Sequence, residues 1–247
     1  MTVGHGQNAL LTTALFTGGA LKLKRRPLIA GLILGALCFK PQLAMLVPLT
    51  LVVTGRWRAL AGFFAGAMFL VGVSWLVFGA ETWRAFLVEN ALARETLNQG
   101  LVDPAKMQSA FAALRVLGAP LAAAYGVQAL VSLAAIAALI LMLRRTRDPL
   151  LQMAVTACAG LLATPFVLDY DLTLLALPLA LVFSRGSREK FLPYEKSALL
   201  TAYVLPAVAR PLALYAHLPL SPLALGLFLL TLMRRVNAEA VASPSAT

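Results

Sequence analysis

Residues 27–53 read PLIAGLILGALCFKPQLAMLVPLTLVV. How this stretch meets a membrane decides the fold. It is apolar apart from one interruption, Lys40-Pro41-Gln42. Taken as one kinked span, it carries Arg56 and Arg58 to the side opposite Lys22, Lys24, Arg25 and Arg26. Taken as a hairpin, it returns them to the same side. Proline is tolerated in membrane helices, so Pro41 alone does not decide. The arms, Pro27 to Phe39 and Leu43 to Val53, hold about a dozen residues each, which is only about 18 Å of helix. A full crossing of the ~30 Å hydrocarbon core takes roughly 20 residues. A hairpin with such short arms draws its polar apex below the membrane surface.

The basic clusters choose the hairpin. They lie at Lys22 to Arg26, Arg56 to Arg58, Arg144 to Arg147, Arg185 to Lys196 and Arg234-Arg235, each at the end of an apolar run. The positive-inside rule expects such clusters in cytoplasmic loops. The hairpin keeps them all on one side, and that side then carries the whole net charge of +11. The remaining bases, Lys40, Arg84, Arg94, Lys106, Arg115 and Arg210, are matched by Glu81, Glu89, Glu95, Asp103, Asp169 and Asp171. The surplus is therefore an orientation signal and an attraction to anionic lipid. It is not the footprint of a nucleic-acid partner.

Composition agrees. The chain is 60% hydrophobic and 13% charged, against about 25% charged in a soluble domain. A β-barrel would need alternating apolar and polar residues, and that pattern is missing. The expected fold is all-α, a polytopic transmembrane helical bundle over residues 1–236 with about nine spans, including short broken or re-entrant helices. The spans read Ala9 to Leu21, Pro27 to Phe39, Leu43 to Val53, Ala59 to Gly79, Leu121 to Leu143, Leu150 to Leu168, Leu172 to Phe183, Ala198 to Ala216 and Leu220 to Leu232. Residues 237–247 read as a disordered cytoplasmic tail. Residues 80–118 read as two amphipathic helices on the outer leaflet, broken at Gly100 and Pro104. They form either a cap packed on the bundle or a lid over an acceptor.

Three polar islands break the apolar runs: Gly4 to Asn8, Lys40 to Gln42, and Asp169-Tyr170-Asp171. Ionisable groups at membrane depth cost about 2.5–3.5 kcal/mol each, so they tend to mark a site. Lys40 could hold a phosphate as a point charge, or it could cap two short helices at headgroup level. Asp169 and Asp171 could bind sugar hydroxyls, orient a cation or act as a base. Alternatively, Asp171 caps a helix starting at Leu172. Gln7 and Asn8 open the first span and can hydrogen-bond across helices or to a sugar. His5 could titrate near neutral pH, or it is simply a flexible terminal residue. Arg210 is a further outer-face candidate, or an interfacial anchor beside Pro211.

Cys38 and Cys158 lie inside apolar runs, without disulfide or metal spacing. Metal-ligand clusters, nucleophile elbows, phosphate-cradling glycine loops and nucleotide fingerprints are missing too. No cofactor and no metal is expected. An enzyme of this kind would take its donor from the membrane, which favours a lipid-linked substrate over a soluble nucleotide.

At these residues the chain resembles glycosyltransferase family 87, bacterial membrane enzymes of the GT-C class related to polyprenol-phosphate-mannose-dependent α-mannosyltransferases. The resemblance lies in Gly6-Gln7-Asn8, in Leu32 to Leu43 around Lys40-Pro41-Gln42, and in Arg56-Trp57-Arg58-Ala59-Leu60. It continues in Trp83 to Leu87, in Gln108-Ser109-Ala110-Phe111, and from Ala163-Thr164-Pro165 to Asp171. It implies a bacterial inner-membrane enzyme moving a sugar, mannose by analogy, from a polyprenyl-phosphate donor to an extracytoplasmic acceptor. Lys40 would meet the donor phosphate. Asp169, Tyr170 and Asp171, with Gln7, Asn8 and Gln42, would line the sugar pocket.

One departure bears on catalysis. GT-C enzymes carry their catalytic acid in the first outer loop, yet no acid occurs here before Glu81. The chain thus resembles the C-terminal part of such an enzyme, and a missing N-terminal half or a partner subunit is expected. No residue is assigned as the catalytic base. Two rivals remain: a transporter or lipid flippase built on broken helices, and a non-catalytic membrane partner subunit.

Overall fold

The computed structural model describes residues 7–98 and 103–242. Its helices are α1 (Ala9–Lys22), α2 (Pro27–Gly35), α3 (Pro41–Ala44), α4 (Leu46–Val53), α5 (Trp57–Asn98) and α6 (Ala110–Val116). They continue as α7 (Leu121–Arg145), α8 (Pro149–Ala163), α9 (Ala176–Glu189), α10 (Glu195–Tyr215) and α11 (Ser221–Ala242). Short 3-10 turns occupy Ala36–Phe39, Pro104–Lys106 and Asp169–Leu175. Among the described residues there is no strand, only an antiparallel bridge between Met107 and Leu168. The chain is an all-α membrane bundle. Trp57–Glu89, Leu121–Arg145 and Glu195–Tyr215 are long and apolar enough to cross a membrane, while Pro27–Phe39, Pro41–Val53 and Pro149–Ala163 are apolar but shorter.

Helix α8 is the axis of the bundle. Every residue from Leu151 to Ala163 is buried, and α4, α7, α9 and α11 pack around it. A helix enclosed on all sides must be apolar on all sides. Its polar exceptions are satisfied: the Thr156 hydroxyl lies 2.8 Å from that of Thr50, and the Gln152 amide donates to the Thr146 carbonyl at 2.7 Å.

Glycines set the closest helix pair, α2 against α5. A Cβ at Gly31 would lie 2.0 Å from the Ala59 carbonyl oxygen, and one at Gly35 2.1 Å from that of Phe63. Reciprocally, a Cβ at Gly62 would lie 2.3 Å from the Leu28 carbonyl oxygen, and one at Gly66 2.5 Å from that of Leu32. The two backbones touch, as small residues four apart permit in membrane helices, where packing replaces the hydrophobic drive.

The basic clusters meet at one end. Lys24, Arg56, Arg147 and Asp148 line one cleft, and Arg56 donates to the Gln152 side chain at 3.0 Å. Arg185 pairs with both Asp148 and Glu239. Arg145 donates to Asn237 at 2.6 Å. The 27–53 hairpin therefore goes out and comes back, with Lys40 at its apex.

Four boundaries differ from the sequence expectation. Helix α8 stops at Ala163 instead of Leu168, because Pro165 drives Thr164 out of the helical region, to φ −105° and ψ 138°. The descending arm begins as a 3-10 turn over Asp169–Leu175 before α9. The last helix runs on to Ala242, through residues expected to start a disordered tail; residues 243–247 lie outside the described part. Helix α5 turns at Gly79 (φ 75°) and continues to Asn98. The break expected at Gly100 lies outside the described residues. At Pro104 a 3-10 turn does form, and α6 packs on the bundle through Phe111, whose ring sits 4.5 Å from that of Tyr125.

Candidate functional site at the Lys40 apex

Pro41 is the first residue of α3, and a proline disfavours the helical region for the residue before it. Lys40 accordingly leaves the helical path at φ −129° and ψ 67°. The preceding turn of α2 has already tightened to 3-10 geometry over Ala36–Phe39. The side chain of the apex lysine reaches the second polar island.

Lys40 Nζ donates to Asp171 Oδ1 at 2.6 Å, with both side chains buried. The same ammonium stands 4.9 Å from the centre of the Tyr170 ring. The other oxygen of Asp171, Oδ2, accepts from the Leu168 backbone N–H at 3.1 Å. Asp171 therefore does cap, but backwards onto Leu168, and not as the first residue of a helix from Leu172. One carboxylate closes the turn and holds the lysine at once.

Asp169 makes a parallel arrangement. Its Oδ1 accepts from the Tyr170 N–H at 2.7 Å, and its Oδ2 lies 3.6 Å from Arg210 on α10. Two cations face two carboxylates, so the cluster is formally neutral. The Tyr170 phenol carries one O–H donor.

The structure brings Lys40, Tyr170 and Asp171 together, with Asp169 and Arg210 alongside. Gln7, Asn8 and Gln42 make no side-chain hydrogen bond among the described residues, although α1 packs beside the Asp169–Leu175 turn. His5 lies outside the described residues. Beside the same turn, Thr13 of α1 meets Thr173 with hydroxyls 3.2 Å apart. Threonines in apolar helices rarely stand out, and no pattern in the sequence marked them.

Buried amides behind the apex carry a supporting role that the sequence reading did not assign. The Gln108 backbone N–H donates to the Val167 carbonyl at 2.8 Å, and its side-chain oxygen accepts from the Ser221 hydroxyl. Gln128 accepts from the Phe111 N–H at 3.0 Å and donates to the Leu162 carbonyl at 3.0 Å. Ser132 donates to the Ala163 carbonyl at 2.7 Å. These bonds satisfy the orphan carbonyls at the end of α8 and fix the strand-like approach to Asp169. An amide alone in an apolar run is the available signal.

A groove of about 950 Å³ begins beside this turn at Thr13 and Thr173, and runs between α9 and α10 to Phe191 and Lys196. Within the charged cluster Lys40, Asp169 and Asp171 are buried and Arg210 is half-buried, each cation paired with a carboxylate.

The family model of glycosyltransferase family 87 matches residues 1–165. That is well over half of the 247 residues, and the chain belongs to this family of membrane glycosyltransferases. No curated protein and no solved structure matches it. The matched stretch includes Lys40 and ends before Asp169.

Proposed function

We propose that this family 87 chain moves a sugar, mannose by the resemblance, from a polyprenyl-phosphate donor to an acceptor. The transfer takes place at the membrane face opposite the basic clusters, the extracytoplasmic face by the positive-inside rule, in a bacterial inner membrane. The observation that supports this most is the buried Lys40–Asp171 pair at a shared apex of two broken hairpins.

Glycosyl transfer from a lipid phosphate leaves negative charge on the departing phosphate oxygens. Preorganised cations aimed at that charge lower the barrier, and they act most strongly where water is excluded. Lys40 has three N–H donors and uses one on Asp171, so two can turn to a phosphate. Arg210, held by Asp169, supplies a second cation. Asp169, Tyr170 and Asp171 then offer oxygens to sugar hydroxyls. The resemblance implies neither metal nor nucleotide for this transfer.

A second reading is a non-catalytic membrane partner. It is favoured by the engagement of both apex carboxylates, which leaves neither free to act as a base.

The test is transfer of labelled mannose from polyprenyl-phosphate-mannose in vesicles holding the full-length protein with any partner it needs. Lys40→Ala should abolish transfer while membrane insertion is retained. Unchanged transfer in the variant removes the phosphate role. Absence of transfer by the wild type with every lipid-linked sugar tried favours the partner reading.

A further inference from the structure

We propose that the basic end of the bundle binds one anionic phospholipid of its own leaflet, with the phosphate held by Arg188, Lys190 and Lys196 and the acyl chains in the α9–α10 groove. Two hollows meet there. The apolar groove of about 950 Å³ ends at Phe191 and Lys196. A polar hollow of about 620 Å³, lined by Ser187, Arg188, Lys190, Tyr194 and Lys196, begins at the same two residues. Each lies within the range of ligand pockets, roughly 300–1,000 Å³. An apolar slot opening into a cationic bowl is the shape of an amphiphile with an anionic head.

The bowl is built, not incidental. Lys190 and Tyr194 adopt positive φ, 88° and 65°, a conformation that side-chain-bearing residues avoid unless the surroundings impose it. Here Arg235, almost fully buried, imposes it. Its guanidinium donates to the Lys190 carbonyl at 3.2 Å and to Glu195 at 2.5 Å, while Glu195 accepts from the Leu192 N–H at 2.8 Å. Arg234 donates to the Pro193 carbonyl at 3.0 Å. The Phe191 ring lies on Gly186, where a Cβ would come within 2.3 Å of it, and Lys196 stands 5.1 Å above that ring.

Charge selects the occupant. At this end the nearby carboxylates are already taken: Asp148 and Glu239 by Arg185, and Glu189 and Glu195 by Arg235. Among the described residues, Arg188, Lys190 and Lys196 have no carboxylate partner. At the far end of the groove Lys40 and Arg210 are neutralised by Asp171 and Asp169. Uncompensated positive charge lining the groove therefore lies at its basic end, and an anionic head lying along this groove is seated there. This inference does not rest on the transfer reaction.

Native mass spectrometry of the purified full chain, titrated with phosphatidylglycerol, phosphatidylcholine, polyprenyl phosphate or inorganic phosphate, tests it. The wild type should retain one phosphatidylglycerol and little phosphatidylcholine. The Arg188→Gln/Lys190→Gln/Lys196→Gln variant should bind phosphatidylglycerol more weakly, by about fivefold per charge removed, with an unchanged lipid-free melting temperature. Ala180→Trp, which fills the groove and leaves the cations, should weaken it too. Equal retention of phosphatidylcholine, undiminished binding by the charge variant, or equally tight binding of inorganic phosphate overturns the proposal. So does a polyprenyl phosphate that displaces phosphatidylglycerol in the wild type but not in Lys40→Ala.

Discussion

Lys40 Nζ and Asp171 Oδ1 stand 2.6 Å apart across 131 residues of sequence. The contact ties the apex of one broken hairpin to the turn of another. Taking two charges out of water is costly, and their attraction offsets that cost only while both are present.

Removing one partner should therefore be worse than removing both. Asp171→Leu leaves a buried ammonium and should cost about 3–5 kcal/mol of stability. Lys40→Met combined with Asp171→Leu should recover most of that loss. Thermal unfolding of the three proteins in detergent measures the difference. Equal losses in single and double variants would show that the pair is not coupled. The double variant should remain inactive in sugar transfer, which separates support of the fold from a role at the phosphate.

The α2–α5 contact predicts a contrast among glycines. Gly31→Ala and Gly62→Ala each push a methyl into a backbone carbonyl, at 2.0 and 2.3 Å, and should destabilise by roughly 1–3 kcal/mol. Gly72→Ala in the same α5, and Gly126→Ala in α7, meet nothing within 4 Å. Those two should be neutral or stabilise by up to about 1 kcal/mol, from helix propensity alone. Melting temperatures that fall equally for all four would refute the close approach.

Orientation can be read by thiol labelling in a background lacking Cys38 and Cys158. Lys106, in the Pro104–Lys106 turn, and Arg145, the last residue of α7, are both exposed sites for cysteine. An impermeant maleimide added outside intact cells should label the first and spare the second. The reverse pattern would invert the bundle.

Gln128 should prove structural. Its amide serves the Phe111 N–H and the Leu162 carbonyl, both buried. Gln128→Leu leaves these groups unsatisfied and should cost about 1–3 kcal/mol, with a matching rise in proteolysis near α6. An unchanged melting temperature would mean that neither group depends on the amide.

Much of the fold was legible because membrane insertion is written locally. The length of Pro27 to Phe39 and the positions of Arg56 and Arg145 are properties of short windows, and the bilayer reads them as such. The hairpin at Lys40 followed from them, and so did its place at the end opposite the basic clusters. The end of α8 was misplaced because hydrophobicity continues through Phe166, Val167 and Leu168, while the backbone obeys Pro165. The α2–α5 glycines were visible as two pairs spaced four apart, yet that spacing names no partner. The site was half legible. Lys40 and the two aspartates stood out because charge is rare in apolar runs, whereas Thr13, Thr173 and Gln108 are the small and neutral groups that such runs tolerate.

By itself the sequence determined a helical membrane class, a common side for its five basic clusters, and the two islands where charge enters the bilayer. Each depends on residue type and spacing along the chain. Which carboxylate takes Lys40, which takes Arg210, and which cations near Lys190 stay uncompensated were decided only in three dimensions. Ion pairing is set by through-space distance in a low-dielectric interior, and that distance depends on how α8 ends, how α10 lies against the Asp169 turn, and how Arg235 bends the loop after α9.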